Sequence, residues 1–118
     1  MKQDFIPNMY RIIDQFDSRG LADMMTENSS FRYANMPAVV GRENIFQFLE
    51  GFFKSIKAIR HTDLEYWFTD NVWFATGNVN YTRHNDTLLT VPFSVILKME
   101  KDLIREFLIF VDSSTLYQ

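Results

Sequence analysis

The strongest constraint on the fold is a change in hydrophobic periodicity near residue 58. From that point apolar and polar residues alternate, and only three short polar connectors interrupt the pattern. A period of two indicates strands whose successive side chains point to opposite faces. Connectors this short can join only antiparallel neighbours. The sequence therefore predicts an antiparallel meander of four strands, over residues 58–68, 72–83, 88–99 and 103–112.

Helical spacing dominates the part of the chain that precedes the meander. Apolar residues from Phe5 to Phe16 follow one helix face, and this phase leaves Asp14 on the solvent side. A short second helix through Met25 and a strand over residues 30–35 are expected next. The third helix is the clearest, because its apolar positions recur at steps of three and four residues. These positions are Ile45, Phe48, Leu49, Phe52, Phe53 and Ile56.

Together these elements predict an α+β fold of order ααβαββββ, in which a strongly curved, mainly antiparallel sheet wraps around helices. Residues 1–118 contain no linker-like, repeated or low-complexity stretch, so we expect a single domain.

Three residues are unusual for the elements in which they lie. Gly51 weakens the third helix by about 1 kcal/mol relative to alanine, and a close approach of helix to sheet would explain it. Gly77 would either bend its strand or leave room inside the sheet, and Pro92 indicates a bulge or an edge. A sheet bent over helices encloses a hollow, which is a common geometry for a ligand site.

The last two long strands are apolar on both faces, which indicates burial on both faces. Three helices can cover only one face of the sheet, so a second copy of the chain is the simplest cover for the other. We therefore expect a homodimer that forms through the convex face of the sheet. The residues expected on that face are Val91, Phe93, Val95 and Leu97.

Composition excludes several classes of function. The chain has no cysteine, which rules out disulfides and thiol chemistry and suits a reducing compartment. A net charge of −3 without a basic run argues against nucleic-acid binding. No signal peptide and no apolar stretch of membrane-spanning length are present, so we expect a cytoplasmic protein without membrane contact. The aromatic content of 16% indicates a lined cavity or a subunit interface.

Five segments follow one another at a familiar spacing: GRENI at 41–45, RH at 60–61, GNVNY at 77–81, VPF at 91–93 and IREFLIFVD at 104–112. In these segments the chain resembles the SnoaL-like branch of the nuclear-transport-factor-2-like superfamily, over roughly residues 5–117. The resemblance implies a cone-shaped fold, a homodimer through the convex sheet face, and a pocket for a small apolar or aromatic molecule. It leaves the reaction open, because the superfamily includes ketosteroid isomerase, polyketide cyclases, dehydratases and members without catalytic activity.

The residues that the resemblance carries over are those of a pocket rather than those of one enzyme. The tyrosine of ketosteroid isomerase falls on Ile12, its base on Tyr33 or Ala34, and its oxyanion acid on Ser94, so all three roles are unfilled. Pocket-lining positions remain largely apolar or aromatic. The expected ligand-binding residues are Tyr33, Phe48, Val79, Tyr81, Ser94, Ile96 and Phe110.

Two side chains are candidates for proton transfer. His61 lies at a strand start, and imidazole is suited to proton transfer at neutral pH. Asp112 ends the last strand and is the expected carboxylate partner of His61. Each has a structural alternative, since His61 could bind a loop carbonyl and Asp112 could form an Asx turn. The two histidines, His61 and His84, do not form a metal-binding motif, so we expect no metal.

The sequence thus leaves two classes of function open. The first is a cofactor-free acid–base isomerase, cyclase or dehydratase that acts on a small apolar or aromatic molecule. The second is a ligand-binding or dimerisation module without catalytic activity.

Overall fold

Residues 2–117 are described by a computed structural model of the chain. Its helices are a 3-10 turn (Lys2–Asp4), α1 (Phe5–Asp14), α2 (Ser18–Ala22) and α3 (Arg42–Lys54). The side chain of Asp17 caps α2 by accepting a hydrogen bond from the backbone N–H of Gly20 at 2.9 Å. The second helix ends three residues before Met25, where a strand begins instead. Within residues 2–117, no helix has the length and apolar content needed to cross a bilayer.

The strands form one curved, six-stranded sheet in the order β2-β1-β6-β5-β4-β3. They are β1 (Met25–Tyr33), β2 (Val39–Val40), β3 (Ala58–Thr69), β4 (Val72–Thr82), β5 (Leu88–Glu100) and β6 (Leu103–Val111). All strand pairs are antiparallel except β1 and β6, which are parallel. The predicted α+β cone is confirmed, and the meander agrees with its predicted bounds to within one residue. The two-residue strand β2 was not predicted, and β1 begins earlier than expected.

Gly77 marks the place where β3 bends over β4. The register of β3 on β4 shifts between Thr62 and Glu65. A Cβ atom added to Gly77 would lie 2.7 Å from the carbonyl oxygen of Thr62. Gly77 is therefore needed for a close backbone approach, and it leaves no free space inside the cone. Pro92 pairs in register with β4, and β6 pairs with β5 only from Phe93 onward, so Pro92 lies at a local edge rather than in a bulge.

The faces of β5 are the reverse of those predicted. Directly opposed residues of an antiparallel pair share a face, and Val91 and Phe93 oppose Val79 and Gly77 on the side of the helices. The residues predicted for the convex dimer face, Val91, Phe93, Val95 and Leu97, therefore lie on the concave face. Phe93, Val95 and Leu97 are exposed by only 6%, 2% and 0%. The prediction failed because β5 is apolar on both faces, and alternation alone does not say which face meets the helices.

The convex side of the sheet, called the outer face here, carries a row of apolar side chains. Trp67 opposes Phe74, which opposes Ile96, which in turn opposes Leu108. The next row contains Ser94 opposite Phe110. Large parts of both rows are in contact with solvent. The exposed fractions are 54% for Trp67, 38% for Phe74 and 52% for Phe110.

Candidate functional site

The helices and the concave face of the sheet enclose a small aromatic cavity, called the inner cavity here. Its volume is about 50 Å³, and half of the side chains that line it are aromatic. A cavity of this size holds only a few water molecules. Ligand pockets usually measure roughly 300–1,000 Å³. A ring-sized ligand can therefore occupy the inner cavity only if some of the lining side chains move.

A histidine–carboxylate pair lies at the side of this cavity. The Nδ1 atom of His61 in β3 lies 2.7 Å from Oδ1 of Asp14, the last residue of α1. The backbone N–H of His61 donates to the other oxygen, Oδ2, of Asp14 at 3.0 Å. The His61 side chain is only 9% exposed, and it lines the cavity. The hydrogen bond between Nδ1 and the Asp14 carboxyl assigns the ring proton to Nδ1 and leaves Nε2 as the proton acceptor.

Asp14, and not Asp112, is therefore the carboxylate partner of His61. The helix phase predicted for α1 was displaced by one position, because the buried residues are Ile6, Met9, Tyr10 and Ile13. Asp14 follows Tyr10 by four residues and so lies beside it on the same helix face. A search for a carboxylate at the edge of the apolar stripe would have found it.

Asp112 forms the structural alternative that the sequence left open, an Asx turn. Its Oδ1 atom accepts a hydrogen bond from the backbone N–H of Ser114 at 3.1 Å. Hydrogen bonds from the Ser114 side chain and backbone lower the pKa of the Asp112 carboxyl below its usual value. Asp112 is exposed, and it lines an outer opening rather than the inner cavity.

Tyr10 presents a hydroxyl group to the inner cavity without a partner. Its ring packs on the His61 ring with centroids 4.3 Å apart, and the residue is only 3% exposed. The hydroxyl has no hydrogen-bond partner within the described part of the chain. Burial, helped by the charge of Asp14, raises the pKa of Tyr10 well above its usual value. Tyr10 therefore stays neutral and is a hydrogen-bond donor that a ligand could satisfy.

Two further tyrosines meet across the cone, and with Tyr10 they are called the cavity tyrosines here. The hydroxyl groups of Tyr33 in β1 and Tyr81 in β4 lie 2.8 Å apart. Burial raises the pKa of both above the usual value, so both phenols remain protonated. Ser113, in the segment that follows β6, lies close enough to influence the pKa of Tyr33.

The predicted ligand-binding residues divide between the two faces of the sheet. Tyr33, Phe48, Val79 and Tyr81 line the inner cavity together with His61. Ser94, Ile96 and Phe110 do not, because the register of β4, β5 and β6 puts them on the outer face. The lining residues that the sequence did not assign to the pocket include Phe52, Phe93 and Val95.

A larger opening, called the vestibule here, adjoins the inner cavity. Its volume is about 590 Å³, and it shares Tyr33, Phe48, Phe52 and Val111 with the inner cavity. The Tyr33 and Phe52 rings lie 5.1 Å apart, and Phe48 stacks on Phe52 at 6.3 Å. These aromatic side chains separate the two spaces, so a molecule can reach the Asp14–His61 pair from the vestibule only by displacing them.

Gly51 lies in the wall of the vestibule, on α3. A Cβ atom added there would meet nothing within 4 Å. The explanation from a close approach of helix to sheet is therefore wrong. Gly51 instead widens the vestibule.

In residues 2–117, no three side chains of the metal-ligating types stand close enough to hold a metal ion.

Comparison with known proteins gives the same fold. A family model described as SnoaL-like domain matches residues 6–107. A provisionally assigned polyketide cyclase from Xanthomonas campestris pv. campestris is 13% identical, with a TM-score of 0.87 over 98% of this chain and 93% of that one. An NTF2-like protein of unknown function from Burkholderia pseudomallei is also 13% identical, with a TM-score of 0.86 over 97% and 92%.

A third solved structure was determined with a small molecule. It is a protein with a ketosteroid isomerase-like fold from Catenulispora acidiphila, in complex with trimethylamine. Its identity is 12% and its TM-score 0.81, over 89% of this chain and 82% of that one. At these identities the likeness concerns the fold alone. No curated protein matches the sequence.

Proposed function

The chain belongs to the SnoaL-like domain family, and from that premise we propose that it binds a small, largely apolar molecule inside the cone and moves a proton on it. The observation that carries this proposal is the part-buried Asp14–His61 pair beside the unpartnered hydroxyl of Tyr10. A general base needs a fixed ring orientation and a proton acceptor aimed at the substrate. Asp14 fixes the orientation of the His61 ring, and Nε2 of His61 is the proposed proton acceptor.

Each polar group of the inner cavity has a distinct part in this proposal. His61 takes up a proton from the ligand at Nε2, and Asp14 stabilises the imidazolium that forms. Tyr10 donates a hydrogen bond to an oxygen of the ligand where negative charge develops. The surrounding aromatic side chains hold the apolar body of the ligand and exclude water. Asp112, which is exposed at the vestibule, is not needed for this proton transfer.

Hydrogen–deuterium exchange tests the proposal without knowledge of the natural substrate. We would incubate one- and two-ring ketones, beginning with 2-tetralone, with the protein in D₂O and follow exchange next to the carbonyl by NMR. A positioned base accelerates such a step by about 10²–10⁴-fold. His61→Gln should lose this acceleration. Asp14→Asn should lose part of it while ketone binding is kept.

The second candidate is ligand binding without catalysis, and one observation favours it. Among the described residues that line the inner cavity there is no carboxylate, so a second acid–base group next to the ligand is missing. In that case the ketones would bind to the wild-type protein, and exchange would not depend on His61. That result would contradict the proposed proton transfer and leave the binding module as the function.

We also propose that two copies of the chain pair through the outer face. The apolar row formed by Trp67, Phe74, Ile96 and Leu108 supports this, because contiguous apolar patches are usually covered in soluble proteins. A two-fold axis would place the apolar row of one copy against the same row of the other.

We also propose a cytoplasmic location, because the chain has no cysteine.

A further inference from the structure

The charge on the lining of the vestibule is negative. Asp112 is the one ionisable side chain with a charge at neutral pH among the described residues that line it. Its carboxyl is exposed and accepts hydrogen bonds from Ser114, a neutral residue that leaves its negative charge uncompensated. Arg83 contacts the neighbouring C-terminal segment, but its guanidinium group donates to the carbonyl oxygens of Thr115 and Leu116. No cation is therefore offered to a ligand by this part of the described chain.

The other walls of the vestibule are aromatic or neutral and polar. Tyr33, Phe48, Phe52 and Tyr117 contribute rings, and Gln47 contributes an amide. The faces of aromatic rings attract cations through the ring quadrupole. A carboxylate or phosphate group in the vestibule would face Asp112 with no counter-charge, whereas an ammonium group would be attracted both by Asp112 and by the rings.

We propose that the ligand of this protein is a ring compound with an amine at one end, whose ammonium group lies in the vestibule beside Asp112 while its ring displaces Phe48 and Phe52 and points toward the inner cavity. The proposal rests on the proposed ligand binding inside the cone and adds the chemical class of the ligand. It gives Asp112 a part in recognition rather than in proton transfer. It also explains the open space at Gly51, which leaves room for the ligand in the same vestibule.

Three matched probes separate the contribution of the charge from that of the ring. They are 2-phenylethylamine, 2-phenylethanol and 3-phenylpropanoate, which carry a cationic, a neutral and an anionic group on the same ring. Binding would be measured by NMR titration at low and at high salt. An exposed ion pair contributes at most about fivefold in affinity. The amine should therefore bind up to about fivefold more tightly than the alcohol at low salt, and the acid more weakly than both. High salt should reduce these differences.

Two variants assign the preference to one carboxylate. Asp112→Asn keeps the acceptor oxygen of the Asx turn and removes only the charge, so its amine-to-alcohol ratio should fall toward one. Glu27→Gln makes the same charge change on an exposed residue of β1 that does not line the vestibule, and the ratio should stay at the wild-type value.

The failure of this inference can be told apart from a failure of the proposed function. Equal binding of the three probes, tighter binding of the acid, or an unchanged ratio in Asp112→Asn would overturn the amine while ring binding stands. No binding of any probe to the wild-type protein would overturn both.

Discussion

Replacing Gly51 by alanine should make the protein more stable, which is unusual for a change at a glycine near a binding site. Gly51 lies inside α3, three residues before its last residue Lys54, and glycine within a helix is less favourable than alanine by about 1 kcal/mol. The new methyl group would meet no heavy atom within 4 Å, so nothing in the fold opposes this gain. The expected increase in the free energy of unfolding is therefore close to the full ~1 kcal/mol.

Urea denaturation and thermal melting measure this gain directly. For a chain of this size, ~1 kcal/mol corresponds to a rise of about 4 °C in Tm. The urea midpoint should rise by about 0.5 M with an unchanged slope. The methyl group would enter the vestibule, so the affinity for 2-phenylethylamine should fall as stability rises.

Gly77→Ala is the matched control for Gly51→Ala. The same methyl group at Gly77 would lie 2.7 Å from the carbonyl oxygen of Thr62, so this variant should lose about 1–3 kcal/mol. Opposite signs at the two glycines would support the reasoning. A Gly51→Ala protein that is no more stable than the wild type would refute it, because some contact or strain at Gly51 would then have been overlooked.

Three further outcomes follow from the packing. Asp14→Asn should lower the free energy of unfolding by about 1–3 kcal/mol, because His61 keeps its burial but loses a charged partner; urea titration measures this. The cavity tyrosines have raised pKa values in the folded state, so their contribution to stability should be constant below about pH 10 and should be lost at higher pH as the unfolded state releases its phenolic protons. Their phenolate absorbance should then appear only together with unfolding. Val95→Asp should unfold the protein, since it buries an unpaired charge, whereas Phe110→Asp should leave each copy folded and shift the sedimentation of a dimer to that of a monomer.

The fold was predictable because its signals are local. A period of two, short connectors and the spacing of α3 each follow from the geometry of a single element. The parallel pairing of β1 with β6 joins residues far apart in the chain, and no local pattern reveals it. The same is true of the face that each strand turns to the helices when both faces are apolar. Ser94 was therefore predicted to line the pocket but lies on the outer face, and Val95 was predicted for the convex face but lies on the concave face.

The candidate site was predictable only in part for a related reason. His61 could be identified from its residue type and position, but its partner depends on where α1 lies against β3. A one-position error in the phase of α1 moved Asp14 to the solvent side. Asp112 was selected instead because it stood out in the sequence at a strand end.

The central position of β6 has a consequence for how the chain becomes folded during synthesis. β6 follows every other strand in the sequence, yet it lies in the sheet between β5 and β1. While the ribosome has not yet released residues 103–111, β3, β4 and β5 can pair with one another, but β1 has no neighbour that connects it to them. The nascent chain then presents two unpaired strand edges, one on β5 and one on β1. A chaperone that protects these edges until residues 103–111 have emerged would raise the yield of folded protein more than one that acts after β6 has paired.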